Sequence, residues 1–412
     1  PMHADALCVT ARKSTVTMSG SSNSAPVDCV GTLSYDSMVS LVSEKRLVRC
    51  GDHQEVKEEK DSVQGIQKSC LQPSSLDLTL SAEAYKLPGS ILPLATESVR
   101  ELLEKLRVEK QQVLDLTQPV LLDRNRVYMV RLQEILDLPP NVSAYCNNKS
   151  STGRIDVSTR TVTDCNPRYD KIPRGYKGEV WLQITSRSFD VVLQQGLTLN
   201  QAIFYTERHL LPSSEMRELY DSLTSLLYDR DGQPIPLEDA FLDEGGLMLT
   251  LDLDQPIVGY VARRTFHPLD LTQVGAHAAT QFFDPIPRPE EGDYLWLEKG
   301  RFYIFSTFEY IRVPSHLASE MIPFDSTSGE FRAHYAGFFD PGFGFGFEGE
   351  VKGTPAVLEV RCYEDDLVIR HRQPIARMQF ESLDQPPSKI YDTSCGSTYA
   401  HQRGPRLSKY FI

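Results

Sequence analysis

Short alternating runs of apolar and polar residues dominate the chain from about residue 70 onward. Leu76-Asp-Leu-Thr-Leu80 alternates strictly, and Val127 to Leu132 and Val180 to Ile184 follow the same pattern. Leu247-Met-Leu-Thr-Leu-Asp-Leu253 resumes it. A side-chain period of two predicts strands that bury one face. Three stretches predict helices instead. Ser37 to Val48 is a short one. Thr96 to Leu116 places Val99, Leu102, Leu103, Leu106 and Val113 in a helical stripe behind a Thr96 cap. Ser213 to Tyr228 precedes the turn signal Asp229-Arg-Asp-Gly-Gln-Pro234. Residues 1–70 read as a flexible polar lead with a possible short helix: Ser14 to Asn23 is rich in Ser and Thr, and His53 to Asp61 is mostly charged.

The strand-rich part repeats itself. Arg126-Val-Tyr128, Glu134 and Leu138-Pro139 recur as Arg301-Phe-Tyr303, Glu309 and Val313-Pro314, at a constant offset of 175. Val180-Trp-Leu-Gln-Ile184 recurs as Ala356-Val-Leu-Glu-Val360 with one residue of slip. So long a period is a tandem duplication of one domain rather than a solenoid repeat. The reading is mainly β, with a first domain over 71–245 and a second over 246–412.

Composition narrows the function. With 412 residues, 40% hydrophobic and 24% charged, the chain has ample material for two cores. A net charge of −13 leaves no broad basic face for nucleic acid or an anionic membrane, though a few local Arg and Lys residues can still hold a small anion. No apolar run is long enough to span a bilayer. Eight scattered cysteines without a C-x-x-C pair read as free thiols in a reducing, cytoplasmic compartment. His53-Gln-Glu55 matches half of a zinc deaminase signature, but the P-C-x-x-C half is missing, so no zinc site is expected.

The duplication singles out the chemistry. Lys149-Ser-Ser-Thr-Gly-Arg154 combines hydroxyls, a glycine and two cations, which suits phosphate oxygens; a capped turn would have the same composition. Glu359 lies in an apolar strand where the first copy has Gln183. Buried, it would be a carboxyl poised for proton transfer near neutral pH; at an edge facing solvent, it would be inert. Phe338-Phe-Asp-Pro-Gly-Phe-Gly-Phe-Gly346 reads as a tight turn offering Asp340 and Phe343 to a ligand, or as a hairpin with packed aromatics.

These blocks resemble a known family. Pro73-Ser-Ser-Leu-Asp-Leu78, Lys149 to Arg154, Gly175-Tyr-Lys-Gly178, His334 to Phe343, Ala356 to Val360 and the tail Ser397 to Gln402 with Leu407-Ser-Lys409 look like dCTP deaminase in its long, duplicated form. The resemblance implies two dUTPase-like β-barrel (distorted jelly-roll) domains and a threefold homo-oligomer. It implies zinc-independent conversion of dCTP to dUTP and ammonia, with Mg2+ carried on the triphosphate. It casts Glu359 as proton shuttle, Arg332 and Ser328 as holders of water and base, and the Ala336 carbonyl as a water ligand. Asp340 and Phe343 would contact deoxyribose, and Tyr399, Gln402 and Lys409 would belong to a closing tail. Lys149, Ser150, Ser151 and Arg154 would hold phosphate from the first copy, making the site composite. Gln183, with Pro173 where Asp340 stands, implies that the first copy's own centre is inactive. A dUTPase or bifunctional enzyme, and a non-catalytic nucleotide-binding trimer, are the alternatives.

Overall fold

The computed structural model describes residues 27–50, 62–106, 112–223, 225–243, 245–290, 294–323, 337–363, 365–392 and 397–412. The first half folds around a nine-stranded, nearly closed sheet. Its path runs through Lys171–Ile172, Ser143–Asn148, Thr198–Tyr205, Leu76–Leu87, Val127–Asp137, Lys177–Ser186 and Val157–Thr163. The long strand Leu76–Leu87 closes the barrel by serving both walls. It pairs with Thr198–Tyr205 at one end and Val127–Asp137 at the other, with a register slip between Leu80 and Ala84 that bends it.

The duplication seen in sequence is a duplication of pairing. Lys177–Ser186 lies antiparallel on Val127–Asp137 with Gln183 opposite Met129; Thr354–Arg361 lies antiparallel on Phe302–Ile311 with Glu359 opposite Ile304. The buried carboxylates repeat too: Glu134 accepts the Thr79 amide at 2.9 Å, and Glu309 accepts the Thr250 amide at 2.7 Å. Each accepts a strand amide next to a register irregularity.

The lead is not flexible where it is described. Met38, Leu41 and Val42 point one face of the helix Tyr35–Ser43 into the first core. Ser34 caps that helix, and its amide donates to Asp384 of the second half at 2.8 Å. The polar residues around this helix masked a short apolar stripe. His53 and Glu55 lie outside the described residues.

The other helices are shorter than their patterns predict. Val99–Lys105 is capped by Ser98, not Thr96, through a reciprocal capping box with Glu101. Val113 belongs to a strand on Leu76–Leu87. The third helix, Ser213–Ser222, ends before the strand Leu227–Tyr228. Leu211, Met216, Tyr220, Leu226 and Leu227 all pack into the second core, so the second domain begins near residue 211 rather than 246. The strand pattern resumes at Leu247, but the helix and the turn at 229–234 before it already belong to the second domain.

The domains share surface extensively. Leu269–Asp270 of the second half adds a parallel strand beside Val191–Leu193 of the first. Phe282 and Phe283 hold Phe189 between their rings at centroid distances of 5.3 and 5.5 Å, and Phe411 covers both. Each such ring removes apolar area worth about 1.5–3 kcal/mol from water. This interface sets the geometry of the cleft.

Candidate active site

A cleft of about 660 Å³ opens between the two halves, lined by residues from both. The first domain contributes Lys149, Ser150, Ser151 and Arg154; the second contributes Asp340, Phe343, Glu359, Tyr399, Gln402 and Lys409. One chain therefore brings the two complementary sets together. Ser328, Arg332 and Ala336 lie outside the described residues.

Glu359 sits on Thr354–Arg361, every residue of which is buried. It is 5% exposed, which discards the solvent-facing alternative. Burial pushes its carboxyl up to about 8, against the opposing influence of Arg154. A first-domain guanidinium is thus the charged neighbour of a second-domain acid. Gln183, at the equivalent place, accepts the Ile91 amide at 2.9 Å, and the chain that carries Ile91 packs beside Trp181, Val99 and Leu103. The first copy's centre is filled by its own chain.

Arg154 follows the short helical turn Ser150–Gly153. Its Nη1 donates to the Arg406 carbonyl at 3.0 Å, its guanidinium lies 3.7 Å from the Tyr399 ring centroid, and its buried Nε has no hydrogen-bond partner. A bland role for Arg154 would pair it with Asp156 or Asp164. Asp156 instead pairs with Arg361, and Asp164 accepts the Val99 amide at 2.8 Å. Lys149 bonds Asp77 and donates to Thr198 Oγ1 at 3.0 Å. Ser151 anchors the tail through its carbonyl, which accepts from Ser408 Oγ at 2.7 Å.

Asp340 ends the strand Gly337–Phe339 and enters the turn that the glycines permit. Gly344 adopts φ +59°, and a Cβ there would lie 2.1 Å from the Ile311 carbonyl, so no other residue fits. That turn aims Asp340 and Phe343 into the cleft. Ser74 of the first domain donates to Asp340 Oδ1 from its amide at 3.2 Å and its hydroxyl at 2.9 Å. Burial nonetheless pushes the Asp340 carboxyl up to about 6. Phe343 packs edge-on against Phe339 at 4.8 Å and tilts against Tyr391 at 5.5 Å.

The tail crosses the cleft. Gln402 donates to the Pro355 carbonyl at 2.6 Å, and the Lys409 amide donates to the Tyr399 hydroxyl at 3.1 Å. Burial, with Lys149 nearby, holds the Lys409 ammonium below its usual range. Lys149 and Lys409 in one cleft can hold negative charge.

The sequence gives no role to Asp77 and Tyr391, which line the cleft, or to Ser74, which bonds Asp340. Asp77 was findable. It stands in the apolar run Leu76 to Leu80, and a charge there needs a purpose as much as Glu359 does. It is buried, and its Oδ1 has no hydrogen-bond partner. Among the described residues no three His, Cys, Asp or Glu side chains converge as metal ligands, no helix is long and apolar enough to cross a membrane, and Cys29, Cys70, Cys146 and Cys362 are free thiols.

Comparison with known proteins agrees with this two-part site. Residues 41–208 match the family model of the 2'-deoxycytidine 5'-triphosphate deaminase N-terminal domain, and residues 213–411 match that of its C-terminal domain. The division at 208–213 is where the cores divide. A protein of Thermobifida fusca named dCTP deaminase, dUMP-forming, is 28% identical over 127 residues, which are 30% of this chain and 61% of that protein. One of Corynebacterium kroppenstedtii with the same name is 26% identical over 152 residues, 36% of this chain and 77% of that protein. The crystal structure of 2'-deoxycytidine 5'-triphosphate deaminase from Agrobacterium tumefaciens superposes with a TM-score of 0.74 at 33% identity, covering 87% of this chain and 97% of that one.

Proposed function

Because the chain belongs to the 2'-deoxycytidine 5'-triphosphate deaminase family, we propose that the interdomain cleft binds dCTP and hydrolyses its amino group, releasing ammonia and leaving dUTP. The observation that carries this reading is a buried carboxyl, Glu359, raised to about 8 and faced by Arg154 across the domain boundary.

Deamination needs a water oxygen to attack C4 of the base, a proton for N3, and a proton for the departing amine as the C4–N4 bond breaks. One carboxylate near its pKa can relay both protons of the water in turn, the first to N3 as the oxygen attacks C4 and the second, from the new C4 hydroxyl, to the amine as the C4–N4 bond breaks. Glu359 has that pKa, and Arg154 favours its ionised form. Ser328, Arg332 and the Ala336 carbonyl keep the roles the resemblance implies; Ser150 and Ser151, beside Arg154, are further hydroxyls for the water or base. Lys149, Lys409 and the two serines suit the phosphates, and Asp340 with Phe343 suits deoxyribose. Tyr399 and Gln402 shield the centre from bulk water, which strengthens its electrostatics.

Magnesium would enter on the triphosphate, where it neutralises phosphate charge. The residues present fit it. Asp77 stands at the Lys149 end of the cleft with one oxygen unpartnered, and bare phosphate beside that oxygen would be repelled. Asp77 would hold the magnesium-bearing end.

Pure protein incubated with dCTP should release one ammonia per nucleotide consumed; no ammonia above the blank sinks the reading. A second reading ends at dUMP and pyrophosphate, the product carried in the names of the Thermobifida and Corynebacterium relatives. Measuring pyrophosphate beside ammonia separates the two. We further propose that no zinc takes part: activity should survive exhaustive zinc chelation once magnesium is restored. Stoichiometric zinc whose removal abolishes turnover overturns this. A threefold homo-oligomer remains part of the proposal, checked by light scattering.

A further inference from the structure

Asp156 and Arg361 lie outside the cleft lining, and no step above uses them. They nevertheless form a buried ion pair across the domain boundary, with the Arg361 guanidinium donating to both Asp156 oxygens. Ser188 Oγ completes the network, 2.6 Å from Asp156 Oδ2 and 3.0 Å from Arg361 Nη2. Arg361 also donates to the Gly300 carbonyl, tying the pair to the second domain's own chain.

The pair's place in the chain gives it meaning. Asp156 stands two residues after Arg154, and Arg361 two residues after Glu359 on one strand. Residues two apart on a strand share a face. The first domain therefore presents a base and then an acid, and the second an acid and then a base. Left to itself, Arg154 would be neutralised by Asp156. Because Arg361 takes Asp156, Arg154 keeps a buried Nε without a hydrogen-bond partner and bears on Glu359 instead. Asp156 adopts φ +56°, a left-handed conformation unusual for a residue other than glycine, so the chain bends there to reach Arg361.

We infer that Asp156 and Arg361 are a positioning pair that holds the first domain's Arg154 against the second domain's Glu359 and keeps Asp156 from neutralising it. The kinetic side of this rests on the proposed deamination. Arg154 is the charged group that bears on Glu359; Asp77, Lys149, Asp340 and Lys409 line the rest of the cleft. Asp156 feels Arg361 and Arg187.

The experiment uses the full chain. Arg361→Gln removes the cation that occupies Asp156 and leaves Asp156 to neutralise Arg154. In folded protein, kcat should fall about tenfold or more, as displaced catalytic groups do. The rising limb of kcat/KM against pH should move up by about half a unit or more, because Glu359 loses the neighbour that favours its ionised form. Arg361→Lys, which keeps the charge, should hold the limb nearer its wild-type place. Removing one member of a buried pair can unfold a protein. The neutral double variant, Asp156→Asn with Arg361→Gln, leaves no lone charge and no acid to neutralise Arg154, so its limb should return toward the wild-type place. A lowered melting temperature with unchanged kcat and an unmoved limb would mean a structural tie only, and overturns the inference. Calorimetry with dCTP separates the two proposals: Arg361→Gln should weaken affinity about fivefold through the diverted Arg154. If the wild type releases no ammonia, the deamination reading fails, and unchanged affinity in the variant then overturns the positioning pair independently.

Discussion

Glu359→Gln should abolish deamination, with turnover falling by about 10²–10⁴-fold, while dCTP still binds. Gln183 shows that the fold accepts an amide at the equivalent strand position, buried and hydrogen-bonded. An amide cannot collect the two protons of the water in turn and pass one to the ring nitrogen and the other to the amine. The size of the loss separates the proton shuttle from a merely polar lining residue, whose replacement would cost far less. Turnover above a few per cent of wild type would remove Glu359 from the chemistry. In the wild type, kcat/KM should climb with pH toward about 8, since the free enzyme must ionise Glu359 to use it as a base.

The same variant should become the more stable protein at high pH. The Glu359 carboxyl is raised to about 8 in the folded chain from an ordinary value of 4.5. Between these values the folded state holds a proton that the unfolded state has lost, so the folded state binds more protons. Stability contributed by that difference is present below pH 4.5 and lost as pH rises through 8. Glutamine cannot ionise and escapes the loss. The wild-type chain also carries Glu134 at about 7 and Asp340 at about 6, which slope the same way. The difference between wild type and variant isolates Glu359. Thermal melts of the two without nucleotide should converge below pH 5, relative to their common trend, and separate between pH 5 and 8 with the variant higher. Parallel curves would mean that the carboxyl is not desolvated.

Glu359 and Asp77 show what alternation along the chain can and cannot reveal. A charge inside an apolar strand announces itself, and duplication supplied the contrast with Gln183. What alternation cannot reveal is which domain a residue will face. Asp156 stands beside Arg154 in the chain, yet its partner is Arg361, on a strand of the other domain. Ser74 likewise meets Asp340 only because the domains close on each other. The helices were overextended because apolar residues at helical spacing also suit a strand edge, as at Val113, where pairing with Leu76–Leu87 wins. The domain boundary lies earlier than residue 246 because resumed alternation at Leu247 marks the next strand and says nothing of which core the preceding helix joins. Whether Met216 and Tyr220 pack forward or backward is decided by the core they reach.

Arg154→Ala should raise the KM for dCTP by about tenfold or more, the scale of one lost charge-assisted contact. It should also push the rising limb of the pH profile upward. The two effects have separate sources. The guanidinium lies buried in the cleft with Nε unpartnered, ready to give a hydrogen bond to nucleotide oxygens. It is also the charge that opposes burial in setting the Glu359 carboxyl. Removing it leaves desolvation opposed only by a backbone hydrogen bond, so less of Glu359 is ionised at neutral pH and kcat/KM falls further below pH 8 than the KM change alone would give. Arg154→Lys keeps a charge but not the fork that lies over Tyr399. It should restore much of the limb and little of the KM. A folded Arg154→Ala protein with wild-type KM and an unmoved limb would confine the site to the second domain. It would also leave the Lys149 to Arg154 cradle without a part in catalysis.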